Sequence, residues 1–423
     1  MEKFRIRGGH PLHGEVRVSG AKNAALPCLA ATLLTAEPVT LTNLPRVRDI
    51  VTMEKVLATL GESCEHANGS TTVVAGEGDA FHAPYELVRT MRASVLALGP
   101  LLARRRRARV ALPGGCAIGA RPVDLHLEAL SRLGATVRLE QGDVVAEAPD
   151  GLRGAEITFP RITVTGTENV MMAATLAQGR TVLRNAAREP EVADLAAQLE
   201  AMGARITGIG TATVEVEGAA ELHGAHHAVI PDRIEAGTYV VAALLAGRGV
   251  RVAGCTVAHI EGLLKVLEEA GAVLRRESGA VWIPAQASPL RALSVATAEY
   301  PGFPTDLQAQ YLAAMTQATG ACTVTEAIFE NRFQHVLELK RLGAHIDVEG
   351  RTAHVIGPTP LDGTTVMASD LRASAALVLA GLVARGNTVV DRIYHLDRGY
   401  EAMEVKLNAL GADIERFNPG PYL

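Results

Sequence analysis

One short pattern, Leu-x-x-(Leu/Met/Ala)-Gly, recurs at nearly regular intervals along the 423 residues, ending at Gly61, Gly134, Gly203, Gly271, Gly343 and Gly411. The intervals between these glycines are 73, 69, 68, 72 and 68 residues, so a repeat of about 70 residues accounts for nearly the whole chain. Each occurrence reads as the last turn of an amphipathic helix closed by a C′ glycine, because glycine enters the left-handed cap conformation without a Cβ penalty. A short β-like run follows most of them, as at 135–139 and 204–207. A second helix, rich in Ala and Leu, fills the other half of the repeat. It usually ends in glycine (Gly179, Gly247, Gly320, Gly386) and feeds a β-branched strand such as 181–183 or 388–390. Such a unit is too small to bury both faces of its elements alone, so repeats must share cores. The expectation is an α/β fold of two domains with three repeats each, a closed ring of six being the other arrangement.

Stretches 24–34, 94–103 and 239–246 contain no charged residue and must be buried nearly all round. With 48% hydrophobic and 21% charged residues, the chain has ample material for such cores and lacks the composition of a disordered protein. Its formal net charge of −5 gives the molecule as a whole no reason to bind nucleic acid or an anionic membrane. The longest low-polarity runs, such as 373–384, fall far short of the ~18–20 residues a membrane span requires, and the N-terminus has no apolar signal region. A cytoplasmic protein is expected. Five cysteines without CxxC spacing argue against a disulfide framework and a structural zinc site, so no metal is expected.

The residues that open the apolar helices carry the chemistry. In order they are Lys22-Asn23, Arg92, Thr165 to Glu168, Glu235, Asp306 and Arg372. A cation at a helix N-terminus opposes the macrodipole by roughly 0.3–1 kcal/mol, so Lys22, Arg92 and Arg372 break a local rule at equivalent repeat positions. An N-terminus and a cation together make a strong anion site. Asp306 and Glu235 agree with the dipole and fit simple caps equally well.

Pro113-Gly-Gly-Cys-Ala-Ile-Gly-Ala-Arg-Pro122 is a glycine- and proline-rich loop around a cysteine, whereas free cysteine is normally buried. Arg121 nearby would favour the thiolate of Cys116. Cys28, Cys255 and Cys322 lie in apolar runs and read as core. The arginine run 104–107 reads as a solvated helix end, and His226-His227 as a surface connection. No P-loop appears, and no GxGxxG follows a strand.

Taken together, Lys22-Asn23, Pro113-Gly-Gly-Cys116, Ile118-Gly-Ala-Arg-Pro-Val-Asp-Leu125, Ala187-Arg-Glu-Pro-Glu191, Pro231-Asp-Arg-Ile-Glu235, Pro304-Thr-Asp306, Phe329-Glu-Asn-Arg332, Asp370-Leu-Arg372 and Asp397-Arg398 closely resemble the enolpyruvyl transferases, and among them the UDP-N-acetylglucosamine 1-carboxyvinyltransferases. The resemblance runs the length of the chain, and the cysteine loop separates it from the sister shikimate-pathway enzymes. It implies two inside-out α/β barrels of three repeats each, one formed by 22–230 and the other by 1–21 with 231–423, with the active site in the interdomain cleft. It also implies transfer of the enolpyruvyl group of phosphoenolpyruvate to the 3′-hydroxyl of UDP-N-acetylglucosamine. The route is addition to a tetrahedral intermediate and elimination of phosphate, as the first committed step of peptidoglycan synthesis.

By that resemblance Asp306 is the base and Cys116 the acid, the latter also able to form a covalent adduct with phosphoenolpyruvate. Lys22, Arg121 and Arg398 hold the phosphate, while Arg92, Arg332 and Arg372 complete the substrate contacts. Asn23 meets the amino sugar. Arg121, Pro122, Val123, Asp124, Leu125 and Ile328 lie where the family binds uridine, and Arg161, Thr163, Val164 and Thr165 where the diphosphate is expected. No cofactor is implied, and the inhibitor fosfomycin is expected at Cys116. One departure stands out: Thr163-Val-Thr165 replaces a Ser-Val-Gly common in the family, so the backbone contact of that glycine is in question. Competing readings are the shikimate-pathway transferase and, from another class, a non-catalytic six-repeat clamp around nucleic acid.

Overall fold

The computed structural model describes residues 1–89, 91–112 and 123–420; Cys116, Arg121 and Pro122 lie outside them. It is α/β, and its strands form six four-stranded sheets among the described residues. All six sheets share one topology. An edge strand runs parallel to its neighbour, and the remaining two pairings are antiparallel. In the sheet of His82–Ala83, Arg107–Ala111, Asp143–Glu147 and Thr136–Glu140, for example, Val110 faces Val144 and Leu139 faces Val144 from the other side. The 70-residue period is thus one sheet plus two helices.

Two compact units divide the chain, with crossings at Ser19/Gly20 and Ile230/Pro231. The unit from the described residues of 20–230 is built on the helices Lys22–Ala31, Val164–Ala174 and Leu98–Arg105, the last entered through the turn Arg92–Ala97. These helices are apolar on all sides because their partners surround them: Leu29, Leu98, Leu101, Met171 and Met172 are fully buried in one continuous core. Polar Asn169 is tolerated there because its amide oxygen accepts from Gly99 N–H (2.7 Å) and its Nδ2 donates to Val95 O (3.2 Å). Gly99 permits this approach; a Cβ there would lie 2.3 Å from Asn169 O.

The second unit combines Met1–Ser19 with the described residues from Pro231 onward and centres on Arg233–Ala246, Gln308–Met315 and Leu371–Val383. Its N-terminal strand Lys3–Arg7 is inserted between Asn387–Asp391 and Asp413–Phe417, antiparallel to both, with Phe4 opposite Val390 and Ile6 opposite Ile414. Leu12–Arg17 runs parallel to Gly247–Ala253.

All six C′ glycines are left-handed, with φ between +90° and +107°. At five of them the following alanine N–H bonds back to the helix, as in Ala135 to Leu130 O and Ala344 to Leu339 O, which is the six-to-one bond of a Schellman cap. The helix Arg233–Ala246 ends at Gly247 as expected, its N–H bonding to Ala243 O, but Gly247 is extended (φ −79°) and starts the strand, leaving the positive φ to Gly249 (+101°). Two sequence expectations need correction. The arginine run is only partly a solvated end: Arg106 and Arg107 are exposed, but the Arg105 side chain is enclosed against Glu62 at 2.6 Å and donates to Leu60 O. His227 is no loose surface residue, because its Nε2 pairs with buried Asp194 at 3.0 Å. Cys28 Sγ lies 3.7 Å from the same carboxylate, giving a Cys28–Asp194–His227 group already joined by hydrogen bonds.

Candidate active site

Asp306 sits in the short turn Thr305–Leu307, set by Pro304, just before the buried helix Gln308–Met315. Its carboxylate does not cap that helix. Arg332 Nη2 donates to Oδ1 at 2.6 Å and Arg372 Nη2 to Oδ2 at 2.9 Å, one guanidinium on each oxygen. Arg372 lies in the first turn of the helix Leu371–Val383, which Asp370 caps by accepting from the backbone N–H groups of Arg372 and Ala373 (2.9 Å each). The cap supplies the negative charge that the helix start prefers, which offsets the cation two residues later. Burial pushes the Asp306 carboxyl up, but the charges of Arg372 and Arg332 outweigh it and hold the group well below the usual carboxylate range. Asp306 is therefore an anion locked between two cations.

The turn Ile393–Arg398 packs on the same helix as Arg372 and ends in Arg398. Its preceding residue Asp397 is bound by Arg416 at 2.8 Å. Burial and then the Arg398 charge push the His395 imidazole down, favouring its neutral form. Ile328 is half-buried beyond the strand Gly320–Thr325.

In the other unit Lys22 is the first residue of its helix, and its ammonium lies 3.3 Å from buried Asp49. Asn23 follows, half-buried. Arg92 opens its turn beside His126, whose pKa is depressed to about 4 by burial first and the Arg92 charge second. His126 is thus neutral at neutral pH. Its Nδ1 lies 3.0 Å from Asn169 Nδ2 and its Nε2 3.2 Å from Thr165 Oγ1. Thr163 caps Val164–Ala174, accepting from Gly166 N–H at 3.2 Å. The Thr163-Val-Thr165 departure therefore has a structural use: one hydroxyl caps the helix and the other touches His126. Val123 and Leu125 are nearly buried, while Asp124 is exposed and lies 3.9 Å from exposed Arg161.

The model of the family EPSP synthase (3-phosphoshikimate 1-carboxyvinyltransferase) matches residues 6–407. The chain belongs to this family. Within it, the chain is 56% identical over 420 residues to UDP-N-acetylglucosamine 1-carboxyvinyltransferase of Koribacter versatilis, covering 98% of this chain and 96% of that protein. It is 57% identical over 417 residues to the same-named protein of Sorangium cellulosum, covering 98% and 99%. The chain thus falls among the UDP-N-acetylglucosamine 1-carboxyvinyltransferases of the enolpyruvyl transferase family. The crystal structure of the enolpyruvyl transferase NikO from Streptomyces tendae superposes with a TM-score of 0.89 at 28% identity, covering 98% of this chain and 99% of that one. EPSP synthase from Acinetobacter baumannii, at 19% identity and a TM-score of 0.76 over 99% and 100%, shares the fold.

In each unit the candidate residues have partners to which sequence reading assigned no role. In one, Asp370 and Asp232 cap the helices that carry Arg372 and Glu235; in the other, Asp49 holds Lys22 and His126 adjoins Arg92. The signal for the two caps was present, an Asp immediately before each helix start. Asp49 and His126 gave none, being separated in sequence from the residues they touch.

Proposed function

We propose that this chain transfers the enolpyruvyl group of phosphoenolpyruvate to the 3′-hydroxyl of UDP-N-acetylglucosamine with release of phosphate. The observation that carries the reading is Asp306 held between Arg332 and Arg372, in a chain 54–57% identical to proteins named for this activity. In the addition step the sugar oxygen bonds to C2 of phosphoenolpyruvate, the hydroxyl proton goes to Asp306, and a proton is added to the methylene carbon. In the elimination step a proton leaves the new methyl group, the C2–O bond to phosphate breaks, and the enol ether double bond forms.

A carboxylate held this far below its ordinary pKa is always ionised but is a weak base. Arriving carboxylate and phosphate groups compete for Arg332 and Arg372, whose planar guanidinium groups suit them. Releasing Asp306 from either arginine raises its basicity when substrate is present. Lys22, Arg92, Arg121 and Arg398 supply the remaining positive charge, and Asn23, Val123 to Leu125, Thr163 to Thr165 and Ile328 the nucleotide-sugar contacts. Cys116 donates the proton to the methylene carbon. Among the described residues no helix is long and apolar enough to cross a membrane, and action on two cytoplasmic metabolites assigns the protein to the cytoplasm.

The test is phosphate release from phosphoenolpyruvate with each acceptor in turn. Release with UDP-N-acetylglucosamine and none with shikimate 3-phosphate supports the reading; the reverse makes the chain a shikimate-pathway enzyme. Fosfomycin should stop turnover by opening its epoxide on Cys116, with the new C–S bond found there by peptide mass spectrometry. A label on another cysteine would remove Cys116 from the site. No DNA retention at low salt is expected, and tight retention would revive the clamp reading.

A further inference from the structure

Glu326 follows the strand Gly320–Thr325 and is almost wholly buried at 1% exposure. A buried carboxylate is costly unless its oxygens are satisfied, and here both are. Oε1 accepts from Thr297 Oγ1 (2.8 Å), Ile328 N–H (2.9 Å) and Phe329 N–H (3.1 Å). Oε2 accepts from Thr305 Oγ1 at 2.8 Å. Thr305 in turn accepts from Arg332 Nη1 at 2.7 Å, and Arg332 Nη2 binds Asp306 at 2.6 Å. One carboxylate thus grips the turn that carries Asp306 with one oxygen and the Ile328 loop with the other.

We propose that Glu326 is a positioning residue that holds the base Asp306 in register with the loop that receives the nucleotide, acting through Thr305 on one side and the Ile328 and Phe329 amides on the other. The inference rests on the proposed function, which assigns Asp306 and Ile328 to the substrates. The hydrogen bonds are arranged for a carboxylate. Thr305 accepts from Arg332 and gives its proton to Glu326, so Oε2 accepts here. An amide can accept from the two backbone N–H groups with its oxygen, but its NH2 can bond Thr305 only if the hydroxyl proton turns away and both donors crowd one oxygen. Glu326→Gln therefore keeps the shape and reverses and weakens the link to Thr305. Charge adds to the argument: Glu326 is joined to Arg332 through Thr305, and a neutral residue 326 removes one negative charge from that chain beside the base.

The experiment measures steady-state kinetics for wild type, Glu326→Gln, Glu326→Asp and Thr305→Val, with thermal midpoints as the check on folding. Wild-type turnover with UDP-N-acetylglucosamine comes first, because its absence overturns the proposed function and not this inference. Given that turnover, Glu326→Gln is expected to lower kcat by about tenfold or more and to raise KM for UDP-N-acetylglucosamine by a similar factor, the loss of a charge-assisted hydrogen bond. KM for phosphoenolpyruvate should stay within about twofold. Thr305→Val cuts the Oε2 arm together with the Arg332 Nη1 bond and leaves the Oε1 arm intact, so it should lower kcat and leave KM for the nucleotide sugar nearly unchanged. Glu326→Asp should recover part of the nucleotide affinity. A folded Glu326→Gln with kcat and both KM values within about twofold of wild type overturns the proposal, as does an equal rise in both KM values. Should Glu326→Gln fail to fold, Thr305→Val decides: unchanged kcat overturns the proposal, and a fall in kcat with constant KM supports it.

Discussion

Asp306 shows how a charge can be visible in sequence while its chemistry is not. At the start of an apolar helix an aspartate fits the role of cap, yet its oxygens are taken by Arg332 and by Arg372, 66 residues away. Isosteric Asp306→Asn keeps the volume and removes both the proposed base and one partner of two buried cations. Turnover is expected to fall by roughly 10²–10⁴, the usual worth of a general base, while UDP-N-acetylglucosamine binding by calorimetry is largely retained. Near wild-type kcat in a folded variant would remove Asp306 as the base. Arg372 was legible because it opposes the helix dipole at a repeat position, and Lys22 and Arg92 for the same reason. What relieves that conflict was only partly so: Asp370 stands at the cap position before Leu371, whereas Asp49, 27 residues from Lys22, meets it only through the fold. Cys116 and Arg121, marked by the sequence, lie outside the described residues.

At the scale of elements, the buried helices carry polar groups at a cost, and Val164–Ala174 shows the clearest case. Its Glu168 is fully enclosed, and Oε1 accepts no hydrogen bond. Burial, followed by the neighbouring carboxylates Glu191 and Glu189, raises its pKa well above the ordinary value. The folded state therefore binds this proton more tightly than the unfolded chain. The stability it contributes is complete below the unfolded pKa of about 4.3 and is lost as pH rises toward the native value, by up to ~1.4 kcal/mol per pH unit for one proton. Glu168→Gln cannot ionise and should remove this slope. Between pH 5 and 8 the denaturation midpoint of wild type should fall relative to that of the variant, and parallel pH profiles would refute the assignment.

Element-scale features were unevenly legible. The six glycine caps could be read because one residue type alone suits φ near +100°. Edge strands as short as His82–Ala83 and Val295–Ala296 could not, since two residues carry no alternation.

For the whole molecule, the repeat period leaves the first twenty residues unassigned, and only strand pairing shows what they do. Lys3–Arg7 is a central strand between Asn387–Asp391 and Asp413–Phe417, and Leu12–Arg17 an edge beside Gly247–Ala253. Phe4, Ile6, Leu12 and Val16 are buried there. At about 1.5–3 kcal/mol for each large apolar side chain, these four contribute roughly 6–12 kcal/mol, comparable with the entire stability of a domain, about 5–15 kcal/mol. The unit of residues 20–230 draws every described strand of its three sheets from its own segment, the last being His226–Ala228 beside Val39–Thr42. Expressed alone, residues 20–230 are therefore expected to unfold in a cooperative transition, whereas 231–423 alone should not. A tandem in which residues 1–19 are joined through a flexible linker to 231–423 should restore that transition. Circular dichroism through a urea titration distinguishes the outcomes, and cooperative unfolding of 231–423 alone would show that the N-terminal strands are dispensable to the unit that encloses them.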